Sequence, residues 1–193
     1  MGLTASRYPH TIQQIIPTYS LFWIAMVYDY WMHRDDQIFV NSFQAGIKGV
    51  LDWFEQRIDE TGMLGPVEWW NFVDWAPEYR SGEPPGIKDG NSSVVTLTFI
   101  YNLLLAAEMA EYFGEMNNAD RYRNWAESMK IAVHKHCWDE VKGLYADTPE
   151  KKLYSQHANV MAVLVNMVDK DKEKAFVEKI DTDESLVQCT FYY

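Results

Sequence analysis

Three tryptophans, an amide and two acids fall within eight residues, Glu68-Trp69-Trp70-Asn71-Phe72-Val73-Asp74-Trp75. Indole faces stack on the C–H faces of sugar rings, and Asp and Asn side chains hydrogen-bond hydroxyls, so this is the composition of a carbohydrate site. The same residues could equally form a core cluster beneath a loop, the commonest fate of large apolar side chains. The setting favours a site: the stretch follows the turn signal Thr61-Gly62-Met63-Leu64-Gly65-Pro66 and lies in a Gly- and Pro-rich segment between two strongly helical regions, where functional residues concentrate. Asp74 stands out, because a carboxylate between Val73 and Trp75 needs a partner or a ligand. An ion pair with Arg80 is the competing use.

Other reactive groups carry weaker signals. Glu68 has no second carboxylate fixed at a catalytic distance. Asp35-Asp36 resembles the acid pairs of terpene cyclases, but Gln37-Ile38-Phe39 follows and the full DDxxD pattern is missing. His134 and His136 are two positions apart and do not share a helix face, which argues against a metal site. His157, after Gln156 at a helix start, suits capping or packing. Asn91-Ser92-Ser93 matches a glycosylation sequon, meaningful only in a eukaryotic secreted setting. Cys137 and Cys189 lie in apolar surroundings without a CxxC or zinc spacing, so two free thiols are expected. No catalytic residue, metal or cofactor is assigned.

The elements that must position these groups are helices. The first is expected from Tyr19 to Arg34, with Thr18 or Ser20 offering an N-cap; it is apolar nearly all round and therefore buried. A second starts after Asp35-Asp36, with Phe39, Phe43, Ile47, Val50, Leu51, Phe54 and Ile58 at helical spacing. Ser92 or Ser93 caps a third that carries Val94, Leu97, Ile100, Tyr101, Leu104 and Leu105. Asn117 or Asn118 opens a fourth, with Tyr122, Trp125, Met129, Ala132, Val133 and His136 along one stripe. Ser155 caps a fifth, and Lys170 to Ile180 forms a shorter sixth. No period-2 strand emerges. The fold class is all-α, in helix pairs whose short turns lie on one side and long decorated loops on the other.

At 193 residues, 48% hydrophobic and 15% aromatic, the chain can bury a sizeable core. A net charge of −11 argues against a nucleic-acid partner, which demands a basic face. No run of 18 apolar residues and no signal-peptide pattern occurs, so no membrane partner is expected and the compartment stays open. Met1-Gly2-Leu3-Thr4-Ala5-Ser6 matches the short N-myristoylation pattern by chance. The chain closes on the apolar run Leu186-Val187-Gln188-Cys189-Thr190-Phe191-Tyr192-Tyr193, unlike the polar, frayed ends of most domains. Residues 1–193 are therefore expected to be part of a longer domain, cut at both ends.

Several segments resemble one family. Gly2-Leu3-Thr4-Ala5-Ser6-Arg7-Tyr8-Pro9, the run Ile16-Pro17-Thr18-Tyr19-Ser20-Leu21-Phe22-Trp23-Ile24-Ala25-Met26-Val27, and Trp69-Trp70-Asn71-Phe72-Val73-Asp74-Trp75 are similar to the catalytic domain of bacterial α-L-rhamnosidases of glycoside hydrolase family 78. Tyr145-Ala146-Asp147-Thr148-Pro149 and Tyr154-Ser155-Gln156-His157-Ala158-Asn159 resemble segments shared by six-hairpin glycosidases. The resemblance implies an (α/α)6 toroid of which the helices here are about half, and release of terminal α-L-rhamnose with inversion. It places the general acid upstream and the general base downstream of this chain. What remains is a sugar-binding wall: Trp75, Asp74 and Trp23, with Trp70 and Asn71 beside them. The partners implied are a rhamnose-containing oligosaccharide or glycoside and the remainder of the same domain. Two other readings stay open, a non-catalytic sugar-binding module and a purely structural helical domain with its tryptophans in the core.

Overall fold

Helix boundaries follow local chemistry along the chain, of which the computed structural model describes residues 2–191 and 193. Pro17 occupies the first turn of α1 (Pro17–His33), where its missing N–H is no loss. Asp36 caps α2 (Gln37–Asn41) by accepting the Phe39 amide at 3.1 Å. The single second helix expected from periodicity is two helices, because Ser42 turns its hydroxyl back onto the Phe39 carbonyl at 2.6 Å and bends the chain before α3 (Gln44–Glu55). On α3, Ile47, Val50, Leu51 and Phe54 form the buried face.

Next comes α4 (Ser93–Tyr112), buried without a break from Ser93 to Ile100. It is long and apolar enough to cross a membrane by length and composition, yet 83% of that stretch is buried within the protein, the setting of a core helix. Gly114 ends it in the left-handed region: its amide donates to Glu111 O and that of Glu115 to Ala110 O, a Schellman closure. The chain then reverses into α5 (Met116–Cys137), which starts beyond Glu115 rather than on an asparagine cap. Strands β1 (Trp138–Asp139) and β2 (Leu144–Tyr145), too short to show a period in sequence, pair antiparallel with Trp138 opposite Tyr145. Ser155 caps α6 (Gln156–Leu164) as expected, accepting the Ala158 amide at 3.1 Å. The last helix is α7 (Glu173–Thr182).

The helices form three hairpins: α1 with α2 and α3, α4 with α5, and α6 with α7. α4 packs on α5 behind it and on α1 and α6 to either side. Being covered on several sides is why α4 shows no amphipathic pattern. The N-terminal ends of α1, α4 and α6 meet the long loops, through Thr18 Oγ1 to Phe72 O, Ser93 N to Asp147 O and His157 to Asp74.

Asn159 fastens one of these loops. Its carboxamide accepts the Tyr145 amide at 2.8 Å and donates to the Tyr145 and Ser155 carbonyls at 2.9 and 2.8 Å. In Asn159→Ala the buried N–H and C=O of Tyr145 lose these partners, at about 1–3 kcal/mol per unsatisfied group. Denaturant unfolding is expected to show a loss of about 2–4 kcal/mol, against under ~0.5 kcal/mol for the exposed Asn117→Ala. Equal, small losses would mean that Tyr145 is held by other means.

Candidate functional site

The loop between α3 and α4 is shaped by three short-range devices. The fully buried Asn71 donates its amide to the carbonyls of Val67, Glu68 and Trp69 at 3.1–3.2 Å, while Glu83 Oε1 accepts the Asn71 backbone amide at 2.6 Å. The Gly82 carbonyl accepts the amides of Val73 and Asp74 at 2.8 and 3.3 Å. Gly82 sits at φ +74°, and a Cβ there would lie 2.4 Å from the Phe72 ring, so only glycine closes this turn. Trp70 Nε1 donates to Ser81 O at 2.9 Å. Asn71 is therefore turned into the loop rather than out of it.

This scaffold presents an aromatic shelf. Trp70, Phe72 and Trp75 lie 4.9–6.3 Å apart by ring centroid, and Trp75 is 61% exposed. From Phe72 the aromatic surface continues edge-on to Tyr19 at 6.2 Å, and Tyr19 meets Phe22 at 6.1 Å, both on α1. Beside them opens a cavity of about 530 Å³, walled also by Thr98 and Asn102 of α4, Val160, Met161 and Leu164 of α6, and Tyr193. Asn102 Nδ2 donates to Thr98 O at 2.8 Å, but the buried Oδ1 has no partner. An unpaired amide acceptor on a residue that lines a largely apolar cavity suits an orienting contact for a small, neutral, hydroxylated ring. Trp23 is not part of this surface. It meets Phe43 edge-on at 5.8 Å and lies over Gly46, where a Cβ would come within 3.1 Å of the indole.

Asp74 anchors the shelf from behind and is 2% exposed. Its Oδ1 accepts the Trp75 amide at 2.8 Å and the Thr190 hydroxyl; its Oδ2 accepts the Thr190 amide at 2.8 Å and lies 2.7 Å from His157 Nε2. The Arg80 alternative does not form. Burial alone would push the Asp74 carboxyl up, but the hydroxyl and amide of Thr190 and the ring of His157 outweigh it and leave the pKa below the ordinary 3.8. Burial holds His157 below its ordinary 6.5, against the pull of Asp74. At neutral pH an uncharged imidazole therefore donates Nε2–H to a carboxylate, and Nδ1 is left buried without a partner.

The His157 ring lies 4.8 Å from Tyr79 and 4.4 Å from Tyr193. Tyr79 in turn donates its hydroxyl to Asp147 Oδ2 at 3.0 Å, with Ser155 Oγ 3.1 Å away. Sequence reasoning gave His157 a local role and gave none to Tyr19, Phe22, Asn102 or Thr190. The i, i+4 pair Thr98 and Asn102 on a largely apolar helix was a readable signal; Thr190 carried none.

The chain matches a family model described as the bacterial alpha-L-rhamnosidase six-hairpin glycosidase domain over residues 2–189. Among solved structures it is similar to a glycoside hydrolase family 78 rhamnosidase of Bacillus sp. GL1, with TM-score 0.80 and 23% identity over 94% of this chain and 19% of that one. It is also similar to a rhamnosidase from Klebsiella oxytoca with rhamnose bound, with TM-score 0.80 and 20% identity over 97% of this chain and 36% of that one. An α-L-rhamnosidase from Dictyoglumus thermophilum matches with TM-score 0.61 and 18% identity over 88% of this chain and 18% of that one. The chain thus spans from about a fifth to about a third of the length of these proteins. No curated protein matches it.

Burial pushes Asp147 up from 3.8 to about 6, against the contrary pull of Ser155 and Tyr79. At about 1.4 kcal/mol per pKa unit this corresponds to roughly 3 kcal/mol. The folded state holds this proton more tightly than the unfolded chain, so the stabilisation is full below pH ~4 and is lost as pH rises through about 6. His157, with its folded pKa lowered, works oppositely and costs stability as pH falls below about 6.5. Asp147→Asn isolates the first effect: relative to the native chain, the variant should gain up to about 3 kcal/mol in unfolding free energy between pH 4 and pH 7. A difference that does not change with pH would show that Asp147 titrates as a solvated acid.

Proposed function

The chain belongs to the family of bacterial α-L-rhamnosidase six-hairpin glycosidase domains, and from that premise we propose that it supplies the sugar-binding wall of an inverting α-L-rhamnosidase. In this reading residues 1–193 contribute about half of an (α/α)6 toroid, and the remainder of the same domain supplies the rest. Terminal α-L-rhamnose stacks against the Trp75 shelf, with its ring facing the cavity where Asn102 Oδ1 is open to a hydroxyl donor. Asp74 positions Trp75 through its backbone amide, while both of its oxygens stay engaged by protein groups. Trp70 supports the shelf, Asn71 shapes its loop, and Trp23 stiffens α1 from the opposite face.

Inversion requires a protonated acid and a carboxylate base roughly 6.5–9.5 Å apart, with a water between sugar and base. In this reading both carboxyls lie outside this chain, so the part read here binds and orients while the chemistry is done by groups brought against it. The observation that carries the reading is the largely exposed Trp75 indole, 4.9 Å from the Phe72 ring that lines a neutral cavity, with its backbone amide held by a fully engaged carboxylate. Support for the substrate comes from the relative described with rhamnose bound.

Two measurements test this. The purified 193-residue chain should release no rhamnose from an aryl α-L-rhamnoside above buffer; protein-dependent release would put the catalytic pair inside it. In the complete enzyme, Trp75→Ala should remove about 1–3 kcal/mol of transition-state binding. kcat/KM should fall, and inhibition by free rhamnose should weaken in parallel. Trp125→Ala is the control, because that indole lies on α5 under the Arg121 guanidinium, 4.1 Å from its ring centroid. If Trp75→Ala lowers only the melting temperature, the indole is structural and the wall lies elsewhere.

A further inference from the structure

Trp69 separates from its neighbours. Its backbone is in the left-handed region at φ +62°, a conformation that a bulky L-residue adopts only where the surroundings impose it, commonly at ligand-binding sites. The imposing groups are identified above: the Asn71 amide holds the carbonyls on both sides of the bend, including Trp69 O. The consequence is that Trp70 packs with Phe72 and Trp75, while Trp69 lies nearly parallel to Trp53 of α3, at 6.0 Å and 15°.

The surroundings of Trp69 are polar and ordered. The Arg57 guanidinium stands 3.3 Å from the Trp53 ring centroid and donates through two nitrogens to both oxygens of Glu68, at 2.7 and 3.0 Å. The hydrogen bonds from Arg57 hold Glu68 below the ordinary carboxylate range, so it is an ionised acceptor beside the indole. A staple between loop and helix would serve best with the indole buried, yet Trp69 remains 44% exposed. An exposed indole on a rigid aromatic base, preceded in sequence by a carboxylate that is fixed by the guanidinium over Trp53, is suited to a pyranose: C–H groups on the ring face, hydroxyls toward the charged pair.

We propose that Trp69, backed by Trp53 and edged by Glu68 and Arg57, is a second sugar-stacking platform, separate from the Trp75 shelf, that takes a neutral pyranose residue of an oligosaccharide. It extends the carbohydrate role proposed above but is read independently of it. The full 193-residue chain, labelled with nitrogen-15, is titrated with a linear trisaccharide of α-linked L-rhamnose while the indole N–H signals are followed. The Trp69 and Trp53 signals should shift saturably in the native chain and equally in Trp75→Ala, and the Trp53 shift should vanish in Trp69→Ala. Trp69→Gly, which suits the left-handed backbone, gives the same readout without strain should Trp69→Ala fold poorly. Glu68→Gln keeps the packing and should weaken the titration several-fold. A Trp69 signal unmoved at saturating trisaccharide, or shifts that disappear with Trp75→Ala, would overturn the platform. Shifts at Trp69 with none at Trp75 would support it and instead count against the Trp75 reading.

Discussion

A carboxylate withdrawn from water is stable only when its oxygens are occupied, and the cost of leaving one bare is several kcal/mol. Asp74 meets that demand with groups far away in sequence: His157 lies 83 positions further on and Thr190 116. Satisfying one side chain therefore brings together the α3–α4 loop, the start of α6 and the C-terminal stretch. The stretch is held from a second direction, because Gln156 N donates to Val187 O and Val187 N to Tyr154 O. The same carboxylate accepts the Trp75 amide, so the group that ties these segments together also fixes the backbone from which the exposed indole leaves the loop.

Much of the fold was legible because helix signals are local. Periodicity marked the buried face of α3, Ser155 was a readable cap, and the apolar residues from Val94 to Leu105 marked α4 as a helix. The errors also have local causes. Ser42 breaks a continuous hydrophobic period by a hydrogen bond that no period records, and two-residue strands are too short to alternate. The site was harder. The nearest cation in sequence, Arg80, is not the partner of Asp74, since burial couples residues through the fold and not along the chain. Asn71, by composition a candidate sugar ligand, is instead the internal brace of the loop.

Composition also could not separate the tryptophans. Trp23, Trp69, Trp70 and Trp75 are chemically identical, and what distinguishes them is backbone direction. Gly82 lets the loop fold tightly over Phe72, the left-handed bend at Trp69 sends one indole toward α3, and Asp74 holds the backbone of another that packs on Phe72. Trp23 sits one residue from Phe22, yet the helical turn points it toward α3 while Phe22 faces the cavity.

The cavity wall contributed by α1, α4, α6 and Phe72-Val73 contains no charged side chain, although the chain carries a formal charge of −11. A neutral ligand entering such a space strips water mainly from apolar surface and meets few polar residues, among them Asn102, whose Oδ1 has no partner. For the proposed enzyme the wall has a second consequence. A carboxyl brought against aromatic and aliphatic surface is poorly solvated when ionised, so its pKa rises, as a general acid at neutral pH requires. Asp147 shows the size of the effect within this chain, raised to about 6 chiefly by burial. By contrast, at Asp74 the Thr190 hydroxyl and amide and the His157 ring outweigh burial and keep the carboxylate ionised. Whether an acid near this wall holds its proton is thus set by the balance between desolvation and the donors that reach it, not by either alone.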